Sequence, residues 1–359
     1  MKKTLPAFAL LGLLSVAQAD VTPEQLEVFR KVQPGDEAGL AVASRTAREL
    51  AGRKDLLSIT ALRAMKGASP LGKNWLVGLA NAAQKKSPSS TAELEAFLRN
   101  TGEDPEARYT VFRWLTEGNE PARNQWLDAM LEDPSPELRY EAIEKALVPA
   151  ELAEAKLRDL LDSARQPEQV TAIFERLDKL GVKIDRAKHF GFLTQWKFIG
   201  PFDNAGSNHF NTAYAVETDY VANKLATSYS GKSDAAAWRS ETSSDPDGLV
   251  DLAKLYNNEK GCIVYGIAEL NSPSDVACEL RVGCINAQKV WVNGELVIAN
   301  EVYHTGMQVD QYIAPIKLKA GVNRILIKVC QNEQKEAWAQ RYIFQARVCD
   351  STGKAISLK

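Results

Sequence analysis

The sequence predicts a multidomain chain in which an α-helical repeat array is followed by an antiparallel β-sandwich. Three observations support this. Apolar residues recur at helical spacing up to about residue 190. From residue 191 onward, short runs alternate apolar and polar residues between turn signals. Between two of these runs stands Asn293-Gly294, a pair that suits the two positive-φ positions of a type I′ hairpin turn.

The first nineteen residues are typical of an export signal. Lys2 and Lys3 provide the positive start, the apolar run 7–16 is too short to span a bilayer, and Ala17-Gln18-Ala19 is a small-residue cleavage signature. We expect cleavage after Ala19 and a periplasmic or secreted product. A retained N-terminal anchor is the alternative. No later run approaches the roughly 20 residues that a membrane span needs, so the mature chain should have no integral membrane segment.

Composition limits the class of partner. The chain has 359 residues, more than one hydrophobic core usually serves, and therefore favours two domains. Its 44 basic and 46 acidic residues give a net charge of −2. The basic residues are mixed with acidic ones along the sequence and form no basic stripe. Because phosphate binding needs concentrated Lys and Arg, we expect no nucleic-acid partner.

Residues 20–190 carry helix signals and an internal echo. Thr22-Pro23-Glu24-Gln25 is a capped helix start, and the Ser90 to Glu93 stretch repeats the capping-box pattern. The motif at 105–109 recurs at 136–140, and Pro167-Glu168 follows after the same 31-residue interval. That interval predicts two helices per unit.

The stretch 133–147 resembles a HEAT-type repeat, in which an Asp-Pro turn precedes a helix carrying Arg and then small and apolar residues. The resemblance covers about three units between 70 and 180. It implies stacked helix pairs that present a surface to a partner. An irregular helical bundle with the same interior is the alternative.

Residues 191–359 should form the sandwich from about seven or eight strands. The alternating run 192–199 is the first of these, and we expect it to break at Gly200-Pro201. The later strand candidates are the runs 262–268, 276–282, 289–292, 313–318, 323–329 and 342–348.

Four segments of this half carry a family resemblance: 196–202, 248–252, 289–294 and 318–329. They resemble the galactose-binding-like jelly roll, and the Trp291-Val292-Asn293-Gly294 hairpin is similar to the sugar-binding module of family 2 glycoside hydrolases. They are also similar to uncharacterised secreted bacterial proteins that join helical repeats to such a module. The resemblance covers about 191–352 and implies a non-catalytic accessory domain. Such a domain binds carbohydrate, holds a structural calcium, or merely packs against a neighbour.

Carbohydrate binding needs an exposed aromatic ring and planar polar side chains. Trp238 and Trp338 are the candidate rings, whereas Trp196 and Trp291 alternate with apolar neighbours and should be core. His304 stands in a loop after the hairpin and is a further candidate contact. The polar candidates are Asp203, Asn204, Asp310, Gln311, Asn332, Glu333 and Gln334.

Metal and disulfide chemistry have few signals. Asp245, Asp247 and Asp251 could ligate calcium, although a turn stabilised by Asp side chains explains them as well. We expect no other cofactor. The cysteine number is odd, and buried thiols and one or two disulfides are equally compatible with the sequence. The five cysteines are Cys262, Cys278, Cys284, Cys330 and Cys349.

The sequence therefore predicts a signal peptide over 1–19, a helical repeat domain over 20–190 and a galactose-binding-like domain over 191–359. We interpret the chain as a non-catalytic exported binding protein whose sandwich binds carbohydrate. One alternative is a scaffold that binds a protein partner on the helical repeats. Another is a hydrolase, which would need a pocket gathering His304 or several carboxylates with shifted pKa values.

Overall fold

The computed structural model describes residue 21, residues 23–356 and residue 358. It confirms the fold class, because helices occupy the first half of the chain and antiparallel sheets the second. The chain divides into two compact units between Pro149 and Ala150. None of the helices in these described residues is long and apolar enough to cross a membrane. The predicted export signal lies outside the described residues.

The helices of the first unit are α1 Pro23–Lys31, α2 Glu37–Ala51, α3 Ser58–Arg63, α4 Pro70–Lys86, α5 Thr91–Arg99, α6 Pro105–Thr116, α7 Glu120–Leu127 and α8 Pro136–Leu147. Three further helices open the second unit, namely α9 Glu154–Ser163, α10 Pro167–Lys179 and α11 Arg186–Phe190. They precede residue 191, where we predicted the sandwich domain to begin, so the compact unit that contains the sandwich also contains these helices.

Local sequence explains several helix starts. Ser90 and Glu93 form the predicted capping box, each side chain accepting the other's backbone N–H. Pro105, Pro136 and Pro167 each occupy the first position of a helix, where the missing N–H costs nothing. Each 31-residue interval contains the helix that begins at the proline and one further helix, which is α7 in the first interval and α9 in the second. The interval therefore contains two helices, as predicted. The predicted cap at Thr22 lies outside the described residues.

A buried ion pair links α6 to the turn that precedes α8. The Arg108 guanidinium is bidentate to Asp133, with Nη1–Oδ1 at 2.6 Å and Nη2–Oδ2 at 2.7 Å. Its Nε donates to the Leu98 carbonyl at 2.9 Å. Arg139, the residue equivalent to Arg108 one interval later, donates to the Asp133 carbonyl at 2.6 Å. The side chains of Arg108 and Asp133 are only 2% and 6% exposed, so each charge depends on the other.

The strands of the second unit form two main sheets. The larger has the order β4-β1-β6-β11-β8-β9, the smaller the order β10-β7-β12-β5, and β2 and β3 pair separately. The strands are β1 Gln195–Asp203, β2 Ser228–Ser230, β3 Ala235–Ala237, β4 Arg239–Thr242, β5 Val250–Asp251, β6 Cys262–Ser272, β7 Val276–Cys284, β8 Ala287–Val292, β9 Glu295–Asn300, β10 Tyr312–Leu318, β11 Gly321–Gln331 and β12 Ile343–Cys349. Two short helices accompany them, α12 Ala215–Val221 and α13 Leu252–Leu255.

The central hairpin has the predicted form. Val292 and Glu295 pair across the turn between β8 and β9, and Asn293 and Gly294 have φ values of 51° and 90°. Both φ values are positive, as a type I′ turn requires. The alternation breaks at Gly200-Pro201 as predicted, where the register shifts between Ile199 and Phe202, but β1 itself continues to Asp203. A bulge of this kind accommodates a proline, which has no N–H for the ladder.

The outer face of the larger sheet is covered over β1, β6, β8 and β11, whereas the smaller sheet exposes Ile313, Pro315 and Lys317 of β10 on its outer face. The interior contains Trp196, Phe198 and Phe344 from facing strands, while Trp291 is buried on the other side of the larger sheet. There the segment 204–226 packs over the strands. On the smaller sheet, the backbone bonds directly to the chain that follows α11, with Leu193 N–H donating to the Ala346 carbonyl at 2.8 Å.

All five cysteines are buried free thiols. Burial raises the pKa of the Cys262, Cys284 and Cys330 thiols to about 12 and that of Cys349 to about 11. A thiol with so high a pKa is a poor nucleophile and metal ligand. The cysteines therefore act here as small apolar core residues.

Candidate functional site

Most of the candidate binding residues gather at one end of the sandwich. Strands β1, β7, β9 and β11 end there, and β6, β8, β10 and β12 begin there. The strand ends and connections at this end contain every sequence-predicted ligand residue except Trp238. These are Asp203, Asn204, His304, Asp310, Gln311, Asn332, Glu333, Gln334 and Trp338.

Asn204 links the connection after β1 to the connection after β9 and to the end of β11. It is fully buried, and its Nδ2 donates to the Tyr303 hydroxyl at 3.1 Å and to the Gln331 carbonyl at 3.0 Å. Its Oδ1 accepts the His209 N–H at 3.2 Å. Burial raises the pKa of the Tyr303 phenol to about 12, so the hydroxyl stays protonated. Asn204 thus positions the loop that leads to His304 rather than contacting a ligand. Asp203, beside it, accepts the Ala205 N–H at 3.2 Å.

The exposed part of this end centres on Trp338. Its side chain, in the turn Ala337–Ala339, is 60% exposed. The His304 ring lies edge-on to it, with centroids 5.0 Å apart and planes at 87°. His304 Nε2 is 2.9 Å from Asn332 Oδ1, which also accepts the Gln334 N–H at 3.2 Å. Because this makes Oδ1 the acceptor, Nε2 of His304 carries the hydrogen. The His304 partner is therefore an amide and not a catalytic carboxylate.

Two polar groups that follow Asn332 in the chain remain available to a ligand. Asn332 Nδ2 donates to Gln334 Oε1 at 2.8 Å, which leaves Gln334 Nε2 as a donor. Glu333 is exposed, and in the part of the chain that the structure describes its carboxylate has no hydrogen-bond or ion-pair partner. Gly261 lies beneath it, and an added Cβ there would come within 2.8 Å of Glu333 Cγ. We call Trp338, His304, Asn332, Glu333 and Gln334 the rim site.

Asp310 and Gln311 lie at the same end but serve the protein. Asp310 accepts from Arg281 Nη1 at 2.8 Å and from Arg347 Nε at 2.7 Å. Gln311 Oε1 accepts the Cys284 N–H at 3.2 Å, and its Nε2 donates to Thr305 Oγ1 at 2.9 Å. Both side chains fix the loop that carries His304.

The Asp310 ion pairs predict a pH dependence. Burial opposes ionisation, but Arg347 and Arg281 together hold the pKa of the Asp310 carboxyl below its ordinary value of 3.8. A lowered folded-state pKa stabilises the protein above the ordinary pKa, and this stabilisation is lost as the pH falls through the folded value. Asp310→Asn should therefore lower the urea midpoint at pH 7, and its deficit relative to the wild type should shrink as the pH falls below about 4. A deficit that stays constant would contradict this assignment.

Trp238, the other candidate ring, lies elsewhere. It is partly buried against the apolar cluster on the outer face of the larger sheet, and its Nε1 donates to the Ala226 carbonyl at 2.9 Å. It therefore helps to hold the covering segment 204–226 and does not join the rim site.

The three candidate calcium ligands bond to separate protein groups. Asp245 Oδ1 accepts the Asp247 N–H at 2.9 Å, Asp247 pairs with Arg186 at 2.7 Å, and Asp251 Oδ1 caps α13 at 3.0 Å. Among the described residues, no group of three or more His, Cys, Asp or Glu side chains could hold a metal ion. The geometry here is that of a turn, an ion pair and a helix cap.

A cleft of about 870 Å³ opens between the sheet edges near β4 and β5. Trp196 and Phe198 line it, yet they are only 3% and 1% exposed and offer no ring face to a sugar. Its carboxylates include Asp245 and Asp251, which already stabilise the turn and the cap. The rim site is therefore the stronger candidate.

Sequence reasoning missed the residues that connect the rim site. Tyr303, Gln331 and Asn286 form its supporting bonds, with Asn286 Nδ2 donating to Gln331 Oε1 at 2.8 Å. Tyr303 directly precedes His304, and Gln331 directly precedes Asn332. Adjacency in sequence could have found Tyr303 and Gln331, whereas no sequence signal singles out Asn286.

Comparisons with known proteins give no family. No family model matches the chain, and no curated protein matches it. Among solved structures, a β-glucosidase from Kluyveromyces marxianus in complex with glucose is 15% identical and covers 25% of this chain and 11% of the enzyme, with a TM-score of 0.21. The GH31 α-xylosidase from Xanthomonas citri is 11% identical and covers 44% and 16%, with a TM-score of 0.21. Another structure of the Kluyveromyces marxianus enzyme is 10% identical and covers 84% and 38%, with a TM-score of 0.28. The chain spans less than two fifths of each enzyme, and likeness this low carries no information on activity.

Proposed function

We propose that this protein is a non-catalytic carbohydrate-binding protein whose rim site holds one sugar face. The observation that carries the proposal is Trp338, a large aromatic side chain that is 60% exposed and braced by His304. Trp338 is the only exposed large aromatic side chain among the residues that the structure describes, and an open indole ring is a surface on which a sugar face can stack. The family resemblance of residues 191–352 to sugar-binding modules supports the same ligand class.

The arrangement can bind a sugar through complementary contacts. The C–H face of a pyranose would stack on the Trp338 indole, which is rigid and therefore loses little entropy on binding. Hydroxyl groups at the ring edge would accept from Gln334 Nε2 and donate to the Glu333 carboxylate. The bonds from Asn332 to His304 and Gln334 hold the surrounding groups in place before the ligand arrives.

Truncation of Trp338 tests the proposal. We expect a glycan array to give a specific ligand for the full chain, and Trp338→Ala to weaken that ligand at least about tenfold because the stacking surface is lost. Trp338→Phe should retain part of the affinity. Isothermal titration with the ligand from the array measures both variants.

Val322→Ala provides a matched control. Val322 is 66% exposed and lies at the start of β11, at the opposite end of the sandwich, so its truncation should leave the affinity unchanged. Equal binding by the Trp338→Ala variant, or silence of the array toward protein that melts cooperatively, would reject carbohydrate binding at the rim site.

We also propose that the protein acts after export. The features of residues 1–19 that predict a cleavable signal support this placement. N-terminal sequencing of protein recovered from the periplasm or medium should begin at Asp20. A protein that retains Met1 in the cytoplasm would contradict it.

A further inference from the structure

The first unit contains a groove that the proposed function does not use. Its volume is about 850 Å³, and it lies between α4, α6 and the start of α7. Trp114 forms part of its lining and is half-buried. The direction of the hydrogen bonds around this groove decides what it offers a ligand.

Asn81 presents a donor to the groove. Trp114 Nε1 donates to Asn81 Oδ1 at 3.1 Å. An indole N–H can only donate, so this bond fixes Oδ1 as the atom turned toward the protein. Nδ2, which carries two hydrogens, has no partner within the described residues and is left for a ligand.

Gln84, one turn later on α4, is oriented in the same way. The backbone N–H of Ser89 donates to Gln84 Oε1 at 3.1 Å, and Ser58 Oγ donates to the same oxygen at 2.7 Å. Because a backbone N–H also can only donate, Nε2 is the free end of this amide. Two amide groups thus contribute N–H donors to one wall.

Positive charge lies beside these donors. Lys85 and Arg113 line the groove, are exposed, and have no acidic partner among the residues that the structure describes. Arg123 also lines it but is already paired with Glu141 at 2.5 Å. We call Asn81, Gln84, Lys85 and Arg113 the donor wall.

The α6–α7 turn at the end of the groove adds acidic residues. Glu117 and Glu120 flank the α6–α7 turn, and neither has a cationic partner in the described part of the chain. The groove therefore offers N–H donors and positive charge together with two carboxylate acceptors.

We propose that this groove binds an extended acidic polypeptide segment. A peptide strand carries a carbonyl acceptor and an N–H donor at every residue. Its carbonyls and acidic side chains would face the donor wall, and its N–H groups would face Glu117 and Glu120. A neutral glycan leaves the charges of the donor wall unmatched. A polyuronate has no amide N–H to donate to the two glutamates.

A labelled peptide of alternating Glu and Ala, titrated by fluorescence anisotropy against the full chain, tests this inference. We expect saturable binding that weakens with added salt. Lys85→Glu combined with Arg113→Glu should weaken it at least about tenfold, since two charge-assisted contacts become repulsive. Asn81→Asp should weaken it too, because the substitution keeps an acceptor for Trp114 but replaces the free donor by a carboxylate oxygen.

Asn74→Asp is the matched control. Asn74 is exposed on the same helix and outside this groove, so the same change of charge should leave the affinity unchanged. The inference is overturned if the peptide does not bind, if Asn74→Asp weakens it as much as Asn81→Asp, or if an oligogalacturonate of equal charge binds as tightly. Should Asn81→Asp lower the melting temperature, the double variant at the exposed cations decides the matter.

Discussion

Replacement of Lys328 by Met is expected to lower the free energy of unfolding by about 3–5 kcal/mol. Lys328 lies on β11 and is fully buried. Its Nζ donates to Glu217 at 2.9 Å and to the carbonyls of His209, Phe210 and Thr212 at 3.1, 2.9 and 2.8 Å. Removal of the ammonium would leave a carboxylate and three carbonyls without their partner under the covering segment.

Urea unfolding at pH 7 measures this loss, and Arg324→Met is the control on the same strand. Arg324 pairs with Glu269, but both side chains are more than 40% exposed, so its loss should cost no more than about 1 kcal/mol. Glu217→Gln in the Lys328→Met background should recover part of the stability, because it removes the orphaned charge. A Lys328→Met variant as stable as Arg324→Met would mean that solvent reaches the lysine.

Asp133→Ala should destabilise the first unit by a similar amount, about 3–5 kcal/mol. The substitution leaves the Arg108 guanidinium buried without its carboxylate. It also removes the acceptor of the Ser135 N–H, which lies 2.8 Å from Asp133 Oδ1 and precedes α8. The substitution therefore removes a hydrogen bond at the start of α8 and the partner of a buried charge at the same time.

Chemical denaturation followed by far-ultraviolet circular dichroism, which reports on helices, measures this change. Glu95→Gln is the control, since its pair with Arg99 on α5 is solvent-exposed and should contribute at most about 0.5 kcal/mol. If Arg108→Met together with Asp133→Leu proved as stable as the wild type, that result would agree with the desolvation cost of buried ion pairs. An Asp133→Ala variant as stable as the wild type would contradict the assignment of a buried, paired charge.

The spacing of apolar residues predicted the order of helices and strands because it reflects which side chains are buried. The Asn293-Gly294 turn, the capping box at Ser90 and the helix start at Pro136 were predictable because their chemistry is local. The course of β1 past Gly200-Pro201 was not, since the bulge depends on pairing with β6, far along the chain. The association of α9–α11 with the second unit also depends on tertiary contacts that no local pattern encodes.

The candidate site shows the same division. Residue type marked Trp338, His304 and Asn332, which the structure brings together. Residue type also selected Asp310 and Trp238, but these side chains bond within the protein. Asp310 accepts from the buried Arg347, and Trp238 donates to a backbone carbonyl. The role of Lys328 was hidden for a similar reason: a lysine in a strand is usually exposed, and only the segment 204–226 buries this one.

The most direct test of the central claim is the set of indole N–H signals in a ¹H–¹⁵N spectrum, recorded while the glycan from the array is added. The chain has seven tryptophans, and Trp338→Phe assigns the signal of interest. We predict that the Trp338 signal shifts with saturation, while those of the buried Trp196 and Trp291 stay in place. A shift at Trp238 or at the helical tryptophans, with Trp338 unmoved, would contradict carbohydrate binding at the rim site.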